Sequence, residues 1–406
     1  SYSLTHGNMA VVESWLLFLL SGALLNGASA QAMAAFGKMG VHAPSSYGTA
    51  YPIPAPGELH SWYSGLPNNA SCEVLIGVAY SSVSPSDYTP TMAADDHYPK
   101  PMGSDVSGTI VATSGPCSRL SVGDEVWGDI GANTHTASGA KTKELGGYAQ
   151  FTVALEAQLS RIPSGMGLDE AGSLPKVALT SYKALVWYAN LDTRPVGQRK
   201  VLILGGSGGT GSVAIQLAKN AFNSTLVTTT TSAANFEYVK ALGADVLIDY
   251  HLDDWWNVSV VADGSQDVVY DCVGQPGTGD RAIRKLKSGG AYVTITGALA
   301  TAPLPPDVQQ HMFINSDTNL GSANLLEELA SFTGKNAIHM PKLTMYDLAD
   351  VADAFTESQS GHVDGKLVIR VPPAPDAVGI AAIKLWSHAY RSSEERFDQK
   401  EPSLDV

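Results

Sequence analysis

Three glycines at the spacing G-x-G-x-x-G, Gly206, Gly208 and Gly211, follow the apolar run Val201-Leu202-Ile203-Leu204 and lead into Ser212-Val213-Ala214-Ile215-Gln216-Leu217-Ala218-Lys219. A strand that feeds a helix through such a turn can hold a pyrophosphate. A side chain at Gly206 or Gly208 would keep the phosphates from the backbone N–H groups, Gly211 lets the helix pack close to the sheet, and the helix N-terminus offers partial positive charge. The candidate phosphate-binding residues are therefore Gly206, Ser207, Gly208, Gly209, Thr210 and Gly211. About 20 residues further on, an NAD site carries Asp or Glu for the ribose hydroxyls, whereas this chain reads Thr230-Thr231-Ser232-Ala233-Ala234-Asn235. Small hydroxyl side chains tolerate a 2′-phosphate and donate hydrogen bonds to it, so the pattern favours NADPH over NADH. No Arg or Lys occurs in residues 225 to 239, and a plain surface loop is the competing reading of the Thr/Ser run.

Such a turn needs a parallel sheet to carry it, and the flanking sequence alternates accordingly. Thr225 to Thr230 reads as a second strand, residues 234 to 242 as a helix, and Ala244 to Tyr250 as a third strand. Asp267 to Gly274 and Gly290 to Gly297 are two more β-rich runs ending in glycine, where a ligand meets the carboxyl edge of a parallel sheet. Upstream, residues 72 to 160 are short strands punctuated by Gly, Pro, Ser and Asp, the pattern of a β-barrel-like domain. Downstream, Leu348 to Ser358 reads as a short helix and Gly365 to Val371 as a closing strand, and no internal repeat is evident.

The 406 residues suffice for two domains with full cores, and 44% hydrophobic residues with 40 glycines fit a glycine-rich α/β enzyme. A formal net charge of -14 without any basic cluster argues against a nucleic-acid partner. Cys72, Cys117 and Cys272 are scattered without a C-x-x-C pair. Three buried or inert thiols are expected, although pairing of two of them is left open.

Trp15 to Leu25 is apolar and is followed by Asn26-Gly27-Ala28-Ser29-Ala30, the pattern of a secretory signal cleaved before Gln31. It is too short to span a bilayer, which takes roughly 20 apolar residues. The basic n-region is missing, with no Lys or Arg before Lys38, and Met9 is an alternative start. Sequons at Asn69, Asn223 and Asn257 suit a secreted protein. The expectation is secretion, with an organellar presequence, or a buried helix in a cytoplasmic protein, as the alternatives.

Several further motifs stand in one order: Ser84-Pro85-Ser86-Asp87, Pro101 to Gly108, Val122-Gly123-Asp124-Glu125-Val126, Gly146-Gly147-Tyr148-Ala149-Gln150, Ser173 to Tyr182, Leu242-Gly243-Ala244-Asp245, and Gly361 to Lys366. Together with the glycine loop they resemble the medium-chain dehydrogenase/reductase family over roughly residues 35 to 372. The resemblance is to the zinc-free quinone-oxidoreductase and enoyl-reductase branch, in particular to reticulon-4-interacting mitochondrial reductases and fungal enoyl reductases. It implies an α/β fold, with a GroES-like β-barrel catalytic domain and a Rossmann doubly wound parallel sheet. The implied division is the catalytic domain over 31–185, the Rossmann domain over 186–325 and a return to the catalytic domain over 326–372; outside it stand the signal or targeting segment over residues 1–30 and a C-terminal tail over 373–406, whose charged end Ser392 to Arg396 reads as solvated.

The resemblance also implies a site. Thr180 matches the family Thr beside the nicotinamide, Ser207 to Gly211 the pyrophosphate positions, Thr231, Ser232 and Tyr250 the region of the 2′-phosphate, and Lys366 the closing Gly-Lys. Ser84, in place of the family Asn, Tyr88 and Tyr98 are the candidate donors to a substrate oxygen; Asp87 is read as a structural anchor. Asp364 stands where Arg is usual, which removes charge help from that place. Zinc alcohol dehydrogenases of this superfamily have G-H-E where this chain has Gly103-Ser104-Asp105, so no metal site is expected, and His97 without a partner reads as a loop residue. Without a metal to activate an alcohol, hydride from NADPH suits a conjugated enone, enal or quinone, whose carbonyl takes up the charge. The expected partner is thus a small quinone or enone, with a homodimer left open. A nucleotide-binding subunit without turnover and a trans-acting enoyl-thioester reductase are the alternatives.

Overall fold

The computed structural model describes residues 32–38, 45–55, 72–88, 100–115, 117–131, 146–297, 299–313, 315, 322–332, 337–376, 378–379 and 382–386. The leader, His97, Tyr98 and the sequon at Asn69 lie outside the described residues.

Strands β1 (Ala32–Lys38), β2 (Ser46–Pro52), β3 (Glu73–Ser82), β4 (Lys100–Pro101), β5 (Asp105–Thr113), β6 (Glu125–Asp129), β7 (Phe151–Leu155) and β8 (Leu159–Arg161) form the first part of the fold, with a single helical turn α1 (Pro85–Tyr88) after β3. Helices α2 (Leu168–Ser173) and α3 (Pro175–Tyr182) lead out of it; Pro175 opens α3, where a missing N–H costs nothing. The chain then alternates through β9 (Lys200–Leu204), α4 (Gly209–Gln216), β10 (Leu226–Thr231), α5 (Phe236–Ala241), β11 (Val246–Asp249), β12 (Gln266–Asp271), α6 (Thr278–Lys285), β13 (Leu286–Thr294) and β14 (Gln309–Met312). It ends with α7 (Ser322–Ser331), β15 (Leu343–Asp347), α8 (Val351–Gln359) and β16 (Lys366–Arg370).

The six strands β9 to β14 form one sheet in the order β11-β10-β9-β12-β13-β14, every pairing parallel. Central strands of such a sheet are covered on both faces, which is why Val201 to Leu204 and Val268 to Tyr270 are uninterrupted apolar runs, all buried. The order reverses at β9, and the crevice between the carboxyl ends of β9 and β12 is where a doubly wound sheet takes its ligand. A second, seven-stranded sheet runs β15-β16-β3-β5-β6-β8 with β7 on β3, and a three-stranded sheet runs β2-β1-β4. β15 and β16, which come after the parallel sheet in sequence, join strands from before it, and β16 pairs antiparallel with β3.

One expectation is corrected here. Cys72 and Cys117 are not separate thiols but a disulfide, with Cα atoms 5.2 Å apart. The antiparallel register of β3 on β5, with Val74 opposite Thr113, brings the two ends together across 45 residues of chain, a proximity that cysteine spacing does not encode. The tail after residue 372, of which the sequence reading characterised only the charged end, includes a packed segment. Ala382 and Trp386 are fully buried in a cluster with Met33, Tyr51, Phe151 and Leu155, and Trp386 Nε1 donates to the Pro54 carbonyl at 2.9 Å. Ala382, Leu385 and Trp386 share the i, i+3, i+4 face of a helical segment, so this end covers apolar sheet surface that would otherwise meet water. The charged run Ser392 to Arg396 lies outside the described residues.

Candidate active site

The glycine loop leaves β9 at Gly205, whose φ of +86° only glycine adopts without strain, and its N–H donates to Thr230 Oγ1 at 2.9 Å. The three motif glycines serve different needs. A Cβ on Gly211 would collide with the Gly205 carbonyl, so its absence lets α4 start close to the sheet, as expected. A Cβ on Gly206 would collide with Thr229 Oγ1 on β10. Gly206 is therefore also required by packing against β10, a demand that the G-x-G-x-x-G pattern alone does not state. At Gly208 an added Cβ would have only the Gly205 oxygen, 3.8 Å away, as a neighbour; it would stand in the open groove.

Two cavities meet at Gly205, Gly208, Cys272, Gly361 and Val363 and form one groove. The outer one, about 630 Å³, is lined by Ser207, Thr231, Ser232, Asn235, Tyr250, His251, His362 and Asp364, so the residues expected around a 2′-phosphate are gathered at one end. Thr231 Oγ1 is buried there without a hydrogen-bond partner among the described residues. Asp364 accepts from Asn235 Nδ2 at 2.6 Å and pairs with Lys342 Nζ at 3.2 Å, and Lys342 also donates to Asn235 Oδ1 at 3.1 Å. A cation absent from residues 225 to 239 is thus brought to Asn235 by the strand-bearing segment beyond α7.

The inner cavity, about 400 Å³, is lined by Ser84, Lys176, Thr180, Thr210, Asn315, Ser358 and Lys366. Gly365 N–H donates to the Ser207 carbonyl at 2.8 Å, which ties β16 to the glycine loop and closes the cavity on that side. Lys366 Nζ donates to Ser84 Oγ at 2.8 Å and to the Val83 carbonyl at 2.7 Å. Behind them lie three fully or almost fully buried carboxylates. Asp87 accepts from Ser84 N, Ser104 Oγ and Tyr148 Oη at 2.8 to 2.9 Å. Asp105 accepts from Lys176 N at 2.7 Å and Ser82 Oγ at 2.6 Å and lies 3.6 Å from Lys366 Nζ. Asp129 pairs with Lys176 Nζ at 2.9 Å.

Burial pushes the Asp105 carboxyl up and the Lys366 ammonium down, and each charge opposes the other's shift. Burial, reinforced by Asp87, holds the Tyr148 hydroxyl well above its ordinary range, so it remains a donor. Burial and the neighbouring Asp271 carboxylate likewise push the Cys272 thiol up.

The alcohol dehydrogenase GroES-like domain family matches residues 70–164, and the zinc-binding dehydrogenase family matches residues 242–369. The 2-methylene-furan-3-one reductase of Solanum lycopersicum is 31% identical over 314 residues, which cover 76% of this chain and 74% of that protein. The chain belongs to the medium-chain dehydrogenase/reductase family. The chloroplastic NADPH-dependent alkenal/one oxidoreductase of Arabidopsis thaliana is 30% identical, with 75% of this chain and 73% of that one covered. Among solved structures, an alcohol dehydrogenase superfamily protein from Novosphingobium aromaticivorans aligns with a TM-score of 0.66 at 26% identity, covering 84% of this chain and all of the other.

Within this medium-chain dehydrogenase/reductase fold, Ser84, Thr180 and Lys366 converge on the inner cavity, and Thr231, Ser232 and Tyr250 on the outer one. Tyr88 does not line either; its hydroxyl meets Ser358 Oγ at 3.0 Å and its ring packs on Phe355, so it reaches the cavity wall through Ser358. Asp87 is an anchor, as read from the sequence: its three donors fix the turn that presents Ser84. The sequence reading missed Lys176, Asn315, Lys342 and Asn235. Lys176 stood in a recognised motif, but nothing local says that its side chain faces a cavity; Asn315 and Lys342 are placed by chain that returns from the far side of the parallel sheet.

Proposed function

We propose that this chain is an NADPH-dependent, zinc-independent reductase that delivers hydride to a quinone or an α,β-unsaturated carbonyl compound. The observation that carries this reading is the single groove joining the glycine loop to a cavity whose wall presents hydroxyls and ammonium groups. The groove fits the coenzyme: Gly208 leaves open space where a side chain would intrude, and Thr231 offers a buried hydroxyl without a hydrogen-bond partner among the described residues. When bound, the nicotinamide supplies the hydride. The backbone N–H groups at the start of α4 hold the pyrophosphate, Thr231, Ser232 and Tyr250 the ribose phosphate, and Thr180 stands beside the nicotinamide. Because Lys366 donates to Ser84 Oγ, the serine's own proton is left to point at a substrate oxygen, so a short hydroxyl serves where the family uses Asn. Gly103-Ser104-Asp105 is committed to the buried network through Ser104 to Asp87 and Asp105 to Lys176 N, which leaves the chemistry to hydrogen-bond donors.

The Arabidopsis relative is named as chloroplastic, which favours the organellar alternative over secretion for the leader. Among the described residues no helix is long and apolar enough to cross a membrane. We assign residues 31–185 and 326–372 to the catalytic domain and 186–325 to the coenzyme domain. Titration with NADPH and 2′,5′-ADP, followed by NADPH consumption with a short enone and an ortho-quinone, tests the proposal. Tight nucleotide binding without consumption of either substrate would make the chain a nucleotide-binding subunit instead.

A further inference from the structure

Lys176 and Thr180 lie one turn apart on α3, and the Thr180 hydroxyl donates to the Lys176 carbonyl at 2.6 Å, so both residues occupy the helix face that lines the inner cavity. Asp129 holds the Lys176 ammonium at 2.9 Å, and Asn315 Nδ2 reaches the same carboxylate oxygen at 3.3 Å. Asn315 Oδ1 in turn accepts from Lys183 Nζ at 2.6 Å, which fixes its amide. The layering matters. Lys176, Lys366 and Asn315 line the cavity, whereas Asp105 and Asp129 do not and stand behind them. Two ammonium-bearing side chains thus belong to the wall, with the compensating carboxylates one layer deeper, and in a partly enclosed cavity such a charge is screened less than in bulk water.

From this layering, and resting on the reductase reading above, we infer that Lys176 is a catalytic residue: its ammonium stabilises the negative charge that develops on the substrate's carbonyl oxygen, and Asp129 positions it. As hydride adds to the β-carbon of an enone, the π electrons move onto the carbonyl oxygen as an enolate. The ammonium keeps its proton and stabilises this oxygen by charge and hydrogen bonding; one proton from water then completes the α-carbon. The substrate class this favours is a carbonyl compound with the enone oxygen exposed at one end, or a quinone, whose oxygens take the same charge.

A phenolate imitates the enolate oxygen without reacting, so 4-nitrophenol titrated into the coenzyme-free protein reads the ammonium independently of turnover. The native protein is expected to bind the phenolate and to shift its absorbance. Lys176→Met should weaken that binding at least tenfold, lower kcat roughly 10²-fold with a much smaller change in KM, and leave the affinity for 2′,5′-ADP unaltered. Lys176→Arg should restore part of both phenolate binding and kcat. Because Lys176→Met strands a buried Asp129, the double variant Lys176→Met/Asp129→Asn provides the same reading in a charge-balanced protein. Phenolate binding that is absent in the native protein, or unchanged in the double variant, overturns the inference. Failure of the native protein to reduce any enone or quinone while still binding phenolate through Lys176 overturns the reductase reading and not the oxyanion site.

Discussion

The ammonium of Lys366 donates to the hydroxyl of Ser84 across 2.8 Å, joining residues 282 positions apart. This contact closes the last strand of the fold onto the first loop of the cavity, and it decides which way the serine proton can point. Ser84→Ala is expected to lower kcat by roughly an order of magnitude while 2′,5′-ADP affinity stays the same. Lys366→Met removes the same orientation and also strips a buried counter-charge from Asp105. It should therefore cost about 3–5 kcal/mol of stability as well, measured by urea unfolding.

The glycine loop separates folding from binding. Gly208→Val should leave the unfolding midpoint nearly unchanged, since the added atoms enter the groove, and should abolish NADPH binding in a calorimetric titration. Gly206→Ala should do the reverse in kind: its Cβ collides with Thr229 Oγ1, so the main effect is a lower midpoint, by about 1–3 kcal/mol.

At the outer end of the groove Asp364 faces the same cavity as Ser232. Asp364→Asn should tighten NADPH several-fold and leave NADH little changed, because it removes a carboxylate near the 2′-phosphate while keeping an acceptor for Asn235. Ser232→Asp should invert the coenzyme preference. Paired titrations with both coenzymes measure each effect.

How far the sequence carried this account depends on the range of the interactions. The glycine loop and the alternation of strands and helices that builds the parallel sheet are local patterns, and they were legible. That Gly206 also serves the sheet was not, because the contact lies with Thr229 on a different strand. The Cys72–Cys117 bridge depends on the register of β3 on β5, and the buried Trp386 on a sheet face more than three hundred residues away. Lys176 was visible as a residue and silent as a function, since its ammonium is held by Asp129 from another part of the chain.

The bridge and the loop beside it make a stability prediction. Cys117→Ser should lower stability by about 2–4 kcal/mol without changing kcat, and reductant should have the same effect on the native protein. Burial works to raise the Glu156 carboxyl, but the N–H groups of Arg119, Leu120 and Ser118 and the Ser118 hydroxyl outweigh it and hold it below its usual value. A carboxyl lowered in the folded state binds fewer protons there than in the unfolded chain. Its stabilisation is therefore present above the unfolded value and is lost as pH falls through the folded one. Glu156→Gln should cost about 1–3 kcal/mol at neutral pH and flatten the acid limb of the stability curve, followed by thermal unfolding across that range.

The central claim is tested most directly by following product, not coenzyme alone. Purified protein with NADPH and a short enone should yield the saturated ketone in one-to-one proportion to the NADPH consumed, with an ortho-quinone reduced in parallel and simple alcohols left untouched. Tight NADPH binding with no saturated product from any enone, quinone or enoyl thioester would contradict it.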